Sequence, residues 1–362
     1  MRRILTYSGF VLMWVIVLAI ILWADTLAAE HHKQEHVTGV NITIEKEGRH
    51  SLIDAEMITS WIKERQLYPE GLAISDIDIA AIERAIVEHS AVAEAMVYVT
   101  YGGKVEIEII PREPIGRLRI AGYDSYISDD GYIIRATECR AAAVPVITGR
   151  YKPLFDASYR GYAEERVRDT IASLDIMIEE LEDVKLPYFA QMVEERRALR
   201  KITSERIKRG LFMSEMEHEL IVTALKQRKS DARATYNQKM RNLNDEVTRL
   251  DMEQDDIRQR KEVVRQAAAD FRTLIGMLKQ INSSSFWSSE IVQIVASGGE
   301  NEPLQIAIVP RSGRFTVDLG TTERIEEKLS TLYAFYHQGL DMVGWSKYKE
   351  ISLRYDGQVV CR

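Results

Sequence analysis

The sequence predicts an α/β chain of the α+β kind. An N-terminal transmembrane helix leads into a small βααββ module and then a mostly antiparallel β domain, which a long coiled-coil helical hairpin interrupts. Three observations carry this. An apolar run follows Met1-Arg2-Arg3. Short alternating segments of strand type enclose two amphipathic helical segments, and strand character returns after Ser283. Between these regions lies a charge-rich stretch whose apolar residues recur every seventh position. At roughly 150 residues per domain, the 362 residues leave room for two or three cores. A net charge of -7, from 48 basic and 55 acidic residues, argues against nucleic acid as the main ligand, because neutralising phosphates needs a basic surplus. Two cysteines exclude a disulfide-rich scaffold and a cysteine-based zinc module.

From Phe10 to Ala24 no residue is charged, and Ile4-Leu5 extends the apolar character backwards. About 20 residues at roughly 1.5 Å rise span a hydrocarbon core of about 30 Å. Residues 4–24 are therefore read as a transmembrane helix, 1–9 as the cytoplasmic N-terminus and 25–38 as a tether. Arg2 and Arg3 precede the span and Asp25 and Glu30 follow it, which places the bulk of the chain outside the cytoplasm. The competing reading is a signal peptide cleaved after Ala28 or Ala29, although the apolar run exceeds the usual signal core of about 7–15 residues. The tether contains His32-Lys33-Gln34-Glu35-His36, the spacing of inverted zinc peptidases. A polar segment beside a membrane offers no cleft to bury such a site, so no metal or other cofactor is expected.

Residues 39–116 form the small module. Val40 to Ile44 alternates as a strand, and Ile53, Met57, Trp61 and Ile62 recur at helical spacing. Ile79, Ile82, Ala85 and Ile86 mark a second helix with Asp76 or Asp78 as its N-cap. Val92 to Thr100, a Gly102-Gly103 turn and Val105 to Ile109 make a hairpin. This β-α-α-β-β order is that of a POTRA module. Residues 117–155 begin the β domain, with Asp130-Gly131 at a hairpin turn between Tyr126 and Ile134, and Val144 to Gly149 as a further strand.

Residues 156–264 are read as the helical insertion. Val167, Ile171, Leu174, Ile178 and Leu181 alternate spacings of four and three. Leu243, Leu250, Ile257, Val264, Phe271 and Leu278 fall every seventh residue, with Gln254 and Lys261 as polar interruptions of the companion positions. A heptad seam sustained this long signals a coiled coil. Ser214 to Glu217 fits a capping box for the second arm, and Lys208-Arg209-Gly210 ends the first. Leu186-Pro187 is expected to kink or break the first arm. Leu211, Phe212 and Met213 fall at the tip, either exposed or packed as a local apolar contact. Residues 265–362 return to the β domain, with strands from Ile291, Leu304 and Phe315, a helix through Leu329 and Tyr336, and a last strand or strands between Tyr348 and Val360. Cys139 and Cys361, in different segments of one domain, are candidates for a disulfide outside the cytoplasm.

Several motifs together resemble the FtsQ/DivIB family of bacterial cell-division proteins. They are the short anchor, the module ending Arg112-Glu113-Pro114-Ile115, the Asp129-Asp130-Gly131 hairpin before Val144 to Gly149, Phe286-Trp287, Val309-Pro310-Arg311, Lys328 to Tyr336, and the block from Trp345 to Cys361. The last block looks most like FtsQ proteins of Bacteroidota. The resemblance covers residues 1–150 and 265–362, and the helical stretch departs from it. It implies a non-enzymatic, single-pass scaffold of the divisome at the inner membrane, gathered at the division site. FtsB-like and FtsL-like bitopic proteins and other divisome components are its implied partners, and the insertion has room for an extra one. A terminal strand such as Ile351 to Val360 leaves an unpaired edge, to which a partner strand adds by main-chain hydrogen bonds. Trp345, Tyr348, Ile351, Leu353, Arg354, Tyr355, Gly357 and Val359 are the expected partner contacts. In a strand, alternation puts Arg354 and Tyr355 on opposite faces. The rival reading is a periplasmic membrane-fusion-type adaptor of a transport or secretion system, which also has an anchor, a hairpin and a β domain. Such adaptors flank the hairpin with two lipoyl-like halves, whereas here one flank is the βααββ module.

Overall fold

A computed structural model describes residues 14–20, 22–23, 36–45, 51–153, 155–208, 210–299, 302–340, 344 and 347–362. Residues 14–20 and 22–23 are helical, and among the described residues no helix is both long and apolar enough to cross a membrane. Most of the predicted span, most of the tether with its first two histidines, and Trp345 lie outside the described residues. The chain divides into two compact units, one of Met1–Ala163 with Arg272–Arg362 and one of Glu164–Phe271.

In the first unit β1 (Gly39–Ile44), α1 (Ala55–Glu64), α2 (Ile79–Val87), β2 (Val92–Val99) and β3 (Lys104–Pro111) follow in the expected order. β3 is central, parallel to β1 and antiparallel to β2. Asp54 and Asp78 cap the two helices, accepting from the N–H groups of Met57 and Ala81 at 2.8 and 2.9 Å. Of the two candidate caps for α2, Asp78 is the one used. Ile58, Ile62, Ile82 and Ile86 are buried in one cluster with Val97, Val105, Ile107 and Ile109 of the sheet. Each such side chain contributes roughly 1.5–3 kcal/mol of burial. The Trp61 indole donates to the Ala85 carbonyl at 2.6 Å and ties α1 to α2.

The same cluster includes Tyr126 and Ile134, so the module and the β domain share a core. These two residues sit on β5 (Tyr123–Ser128) and β6 (Tyr132–Arg135), the hairpin predicted from Asp130-Gly131. β4 (Pro114–Ile120) precedes them. The sequence marks Arg112-Glu113-Pro114-Ile115 only as the end of the module and predicts no strand here; Pro is tolerated at the first residue of a strand, and Pro114 opens β4. β7 (Val146–Arg150) and β8 (Gly161–Tyr162) come before the helices α3 (Ala163–Ser204) and α4 (Glu215–Ser283). After them come α5 (Ser285–Glu290), β9 (Ile291–Gly299), β10 (Glu302–Pro310), β11 (Thr316–Thr321), α6 (Ile325–Phe335), β12 (Glu350–Ser352) and β13 (Val360–Cys361). They form one sheet in the order β13-β12-β11-β10-β9-β7-β4-β5-β6-β8. Its parallel ladders are β4–β7, β7–β9 and β11–β12, and the remaining six are antiparallel. Leu274, Leu278 and Ile281 of the last turns of α4 are fully buried in this unit, where Asn282 donates to the Ile115 carbonyl at 2.8 Å. Cys139 and Cys361 are both free. Sheet order explains why they do not pair, since seven strands separate β13 from β6, just before Cys139.

The second unit is an antiparallel pair of helices within the chain. Lys185 meets Asp251 at 2.5 Å, Glu195 meets Lys239 at 2.5 Å, Glu205 meets Arg228 at 3.1 Å, and Asp175 pairs with Lys261. Steps down α3 are thus matched by steps of similar length up α4. The seam positions Leu250, Gln254, Ile257 and Ala268 are buried between them. The expected break at Leu186-Pro187 does not occur, and α3 continues through Pro187. A proline removes one hydrogen bond, and packed seam residues on both sides hold the helix across the gap. Ser214 and Glu217 form the reciprocal capping box, with the Glu217 N–H donating to Ser214 Oγ at 3.3 Å and the Ser214 N–H to Glu217 Oε2 at 3.1 Å. At the tip Leu211 and Phe212 are fully exposed.

Candidate functional site

The last strands of the sheet make the candidate site. β12 is held on one side by β11 in parallel register, Val317 opposite Ile351, and on the other by β13 in antiparallel register, Ile351 opposite Cys361. The chain end completes this pairing. Arg362 donates to the Glu350 carbonyl at 2.9 Å and accepts from the Lys349 and Glu350 N–H groups at 2.7 and 3.1 Å. In an antiparallel ladder hydrogen-bonded and non-hydrogen-bonded pairs alternate. With residues 350 and 362 bonded, Cys361 directs its N–H and C=O away from β12, toward the open edge of the sheet.

Of the two readings left open for residues 348–360, one strand or more than one, the structure shows two short strands. Residues 353–359 leave the sheet as a loop between β12 and β13. Asp356-Gly357 is the turn signal that separates them, and Gly357 takes the left-handed conformation at φ 64°. This corrects the alternation argument. Arg354 and Tyr355 lie in the loop, not in a strand, and both are exposed, Tyr355 to 62%. Ile351 and Leu353 are buried, at 0% and 3% exposure, and their side chains belong to the core. Tyr348 and Val359 are half-buried and Gly357 is exposed. Trp345 lies outside the described residues.

The loop rests on residues that the sequence reading did not single out. Arg354 Nε donates to Asp318 Oδ2 at 2.5 Å, and the Leu353 N–H donates to the Asp318 carbonyl at 2.8 Å. Gly320, at φ 65°, lets Arg354 lie across β11, since a Cβ there would stand 2.9 Å from Arg354 Cγ. Arg324, itself left-handed at φ 54°, forms an ion pair with Asp356. That carboxylate holds the guanidinium above its ordinary pKa. Lys328 donates to the carbonyls of Leu319 and Thr321 at 2.8 and 2.7 Å, fastening α6 to the end of β11. Beneath α6, Phe286, Trp287, Tyr333, Tyr336 and Phe315 pack edge to face, with centroids 4.8–6.3 Å apart. The Phe286-Trp287 motif is thus a packing device that seats α6 on the sheet. On the sheet face a groove of about 400 Å³ runs between Gln305, Thr316, Asp318, Lys349 and Arg354.

The arrangement suits recognition. It offers an open strand edge, an aromatic ring in water, and arginines already oriented by carboxylates. Among the described residues no group of histidine, cysteine and carboxylate side chains is set to hold a metal ion. His36, the described member of the histidine-rich motif, forms an isolated bridge to Ala73. Burial pushes the Cys139 thiol up to about 12, aided by the Glu138 charge, so it is inert as a thiolate nucleophile.

Comparison with protein families gives two matches. A family described as FtsQ/DivIB, C-terminal related, matches residues 232–362, and a POTRA-like domain matches residues 35–110. The first match begins inside α4, so it includes part of the second helical arm as well as the sheet from β9 onward. No curated protein matches the chain.

Proposed function

The chain belongs to the FtsQ/DivIB family of cell-division proteins, and from that premise we infer that it is a non-enzymatic, single-pass scaffold of the divisome. Residues 4–24 cross the inner membrane with the N-terminus in the cytoplasm, and the βααββ module and β domain lie outside it, at the division site. The C-terminal edge binds small bitopic division proteins of the FtsB and FtsL type by strand addition. The observation that carries this reading is the outward-facing N–H and C=O of Cys361 on the edge strand, together with the exposure of Tyr355 in the loop that leads to it. A strand laid along β13 gains main-chain hydrogen bonds there, while Arg354, Tyr355 and Gly357 read its side chains. Tyr348, Val359 and Trp345 border the same edge in sequence, and Ile351 and Leu353 act by anchoring β12. The heptad seam works as an intramolecular coiled coil, and its exposed tip residues Leu211 and Phe212 are open to a partner of their own.

Depletion in the host is expected to give filaments. Affinity capture of the tagged full-length chain is expected to recover small bitopic coiled-coil proteins, and Tyr355→Ala to reduce that recovery. Normal division on depletion, together with recovery unchanged by Tyr355→Ala, would contradict the proposal.

A further inference from the structure

The second unit carries an apolar stripe that its own seam does not use. Leu186, Phe189 and Val193, at helical spacings of three and four, are 59%, 44% and 47% exposed. Continuing the stripe at such spacings meets Glu182 and Glu179 toward the N-terminus of α3, and Arg196, Arg197 and Arg200 toward its C-terminus, all exposed. Glu182 accepts from Gln254 at 2.9 Å and lies 3.5 Å from Lys185, with its side chain still 60% exposed. None of the three arginines forms an ion pair among the described residues.

The order along the stripe is acidic, apolar, basic, and it is symmetric about Phe189. Glu182 stands seven residues before Phe189 and Arg196 seven after, while Glu179 and Arg200 stand ten before and eleven after. A second α3 crossing antiparallel at Phe189 therefore sets Glu182 against Arg196 of the partner subunit and Glu179 against the partner's Arg200, twice over. A parallel crossing sets like charges together. A helix of uniform charge matches only one end. Self-complementarity about a two-fold axis is the signature of an isologous interface, and flanking charges that fix orientation are what coiled-coil partners use. We propose that two copies of this chain associate through this face of α3, pairing their hairpins antiparallel about Phe189.

The test is sedimentation velocity of the full-length chain in detergent over a concentration series, with helicity of each variant followed by circular dichroism. The wild type is expected to interconvert between monomer and dimer. The pair Glu179→Arg with Glu182→Arg makes the stripe wholly basic, and Arg196→Glu with Arg200→Glu makes it mostly acidic. Each is expected to weaken the dimer by about tenfold or more, summed over two symmetric ends at several-fold per pair. An equimolar mixture of the two is expected to restore association to near the wild-type level, because every mismatched pair becomes a matched one. Phe189→Asp is expected to abolish it. A wild type that stays monomeric throughout overturns the proposal. So does a dimer indifferent to both charge reversals, or a mixture no stronger than its components.

Discussion

The guanidinium of Arg112 lies over the ring of Tyr132, 3.7 Å from its centroid, with Tyr162 on a further side at 5.3 Å. From there it donates to Asp130 at 2.8 Å and to the Tyr162 hydroxyl at 3.2 Å, while its backbone N–H reaches the Ala91 carbonyl at 2.9 Å. The residue that ends the βααββ module is thereby clamped to the first hairpin of the β domain. Arg112 of the Arg112-Glu113-Pro114 segment and Asp130 of the Asp129-Asp130-Gly131 turn are thus direct partners.

Removing that clamp is expected to loosen both parts. Arg112→Ala should cost about 2 kcal/mol from the lost stacking and charged hydrogen bonds, and Arg112→Lys should not rescue it, since an ammonium cannot stack and fork at once. Burial raises the Asp130 pKa, but hydrogen bonds from Ser128 and the Tyr132 N–H and the charge of Arg112 outweigh it, so the net shift is downward. A carboxylate whose folded pKa is depressed contributes stability above its unfolded value of about 3.9 and loses it as pH falls through the folded value. Asp130→Asn is expected to flatten the acid limb of the unfolding midpoint against pH; an unchanged limb would count against the clamp.

His89 is buried in the first unit, with its ring edge-to-face with Trp61 at 4.8 Å and its Nδ1 accepting from the Ala91 N–H at 3.3 Å. Burial lowers its pKa against the opposing pull of Glu138, and the Arg65 charge lowers it further. The unfolded chain therefore takes up this proton more readily, and stability falls as pH drops below about 6.5, the ordinary histidine value. Thermal melts between about pH 7.5 and about pH 5.5 should show this decline, and His89→Gln should reduce its slope. An equal slope in both proteins would reject the assignment.

The helical pair is registered by a buried cation. Lys185 is 3% exposed in the seam and touches Asp251 at 2.5 Å and Gln254 at 2.8 Å. Asp251→Ala should destabilise the helical unit by about 1–3 kcal/mol by weakening the pairing of a buried charge. Lys185→Leu should fall within about 1 kcal/mol of the wild type, because Gln254 keeps its bonds to Glu182 and the Ile178 carbonyl. A double-mutant cycle in urea, followed by helicity, reads the coupling directly. No coupling would mean that the contact sets no register.

At the C-terminal edge, position matters more than residue type. Gly320→Ala meets both a positive φ and Arg354 Cγ, so it should cost about 1–2 kcal/mol and displace the loop. Tyr355→Ala should leave the melting temperature within about 1 °C and act on partner recovery alone. Ile351→Ala should cost about 2–5 kcal/mol of stability. Measuring stability and capture for all three separates side chains that touch a partner from side chains that hold the edge in place.

Much of this architecture is legible in the sequence, because periodicity reports burial directly. The alternation of Val105 to Ile109 and the heptads from Leu243 to Leu278 both name the faces that turn inward. The polar interruptions Gln254 and Lys261 have partners because Lys185 and Asp175 lie across the seam, and Lys185 falls at the next seam position after Leu181, where it was readable. The choice between one last strand and two turns on Asp356-Gly357, a turn signal inside an otherwise strand-like run. Two features were not legible. β4 hides behind Pro114 and Gly116, whose local signal is that of a turn. The supports of Arg354 come from Asp318, Gly320 and Arg324 on other elements, and pairings over such distances in sequence leave no periodic trace.

The scaffold reading is tested most directly by imaging a functional fluorescent fusion of the full-length chain in its host during depletion of the untagged protein. Recruitment to midcell in dividing cells, with filaments forming as the protein is withdrawn, is the predicted result. Uniform envelope fluorescence with normal division would contradict it.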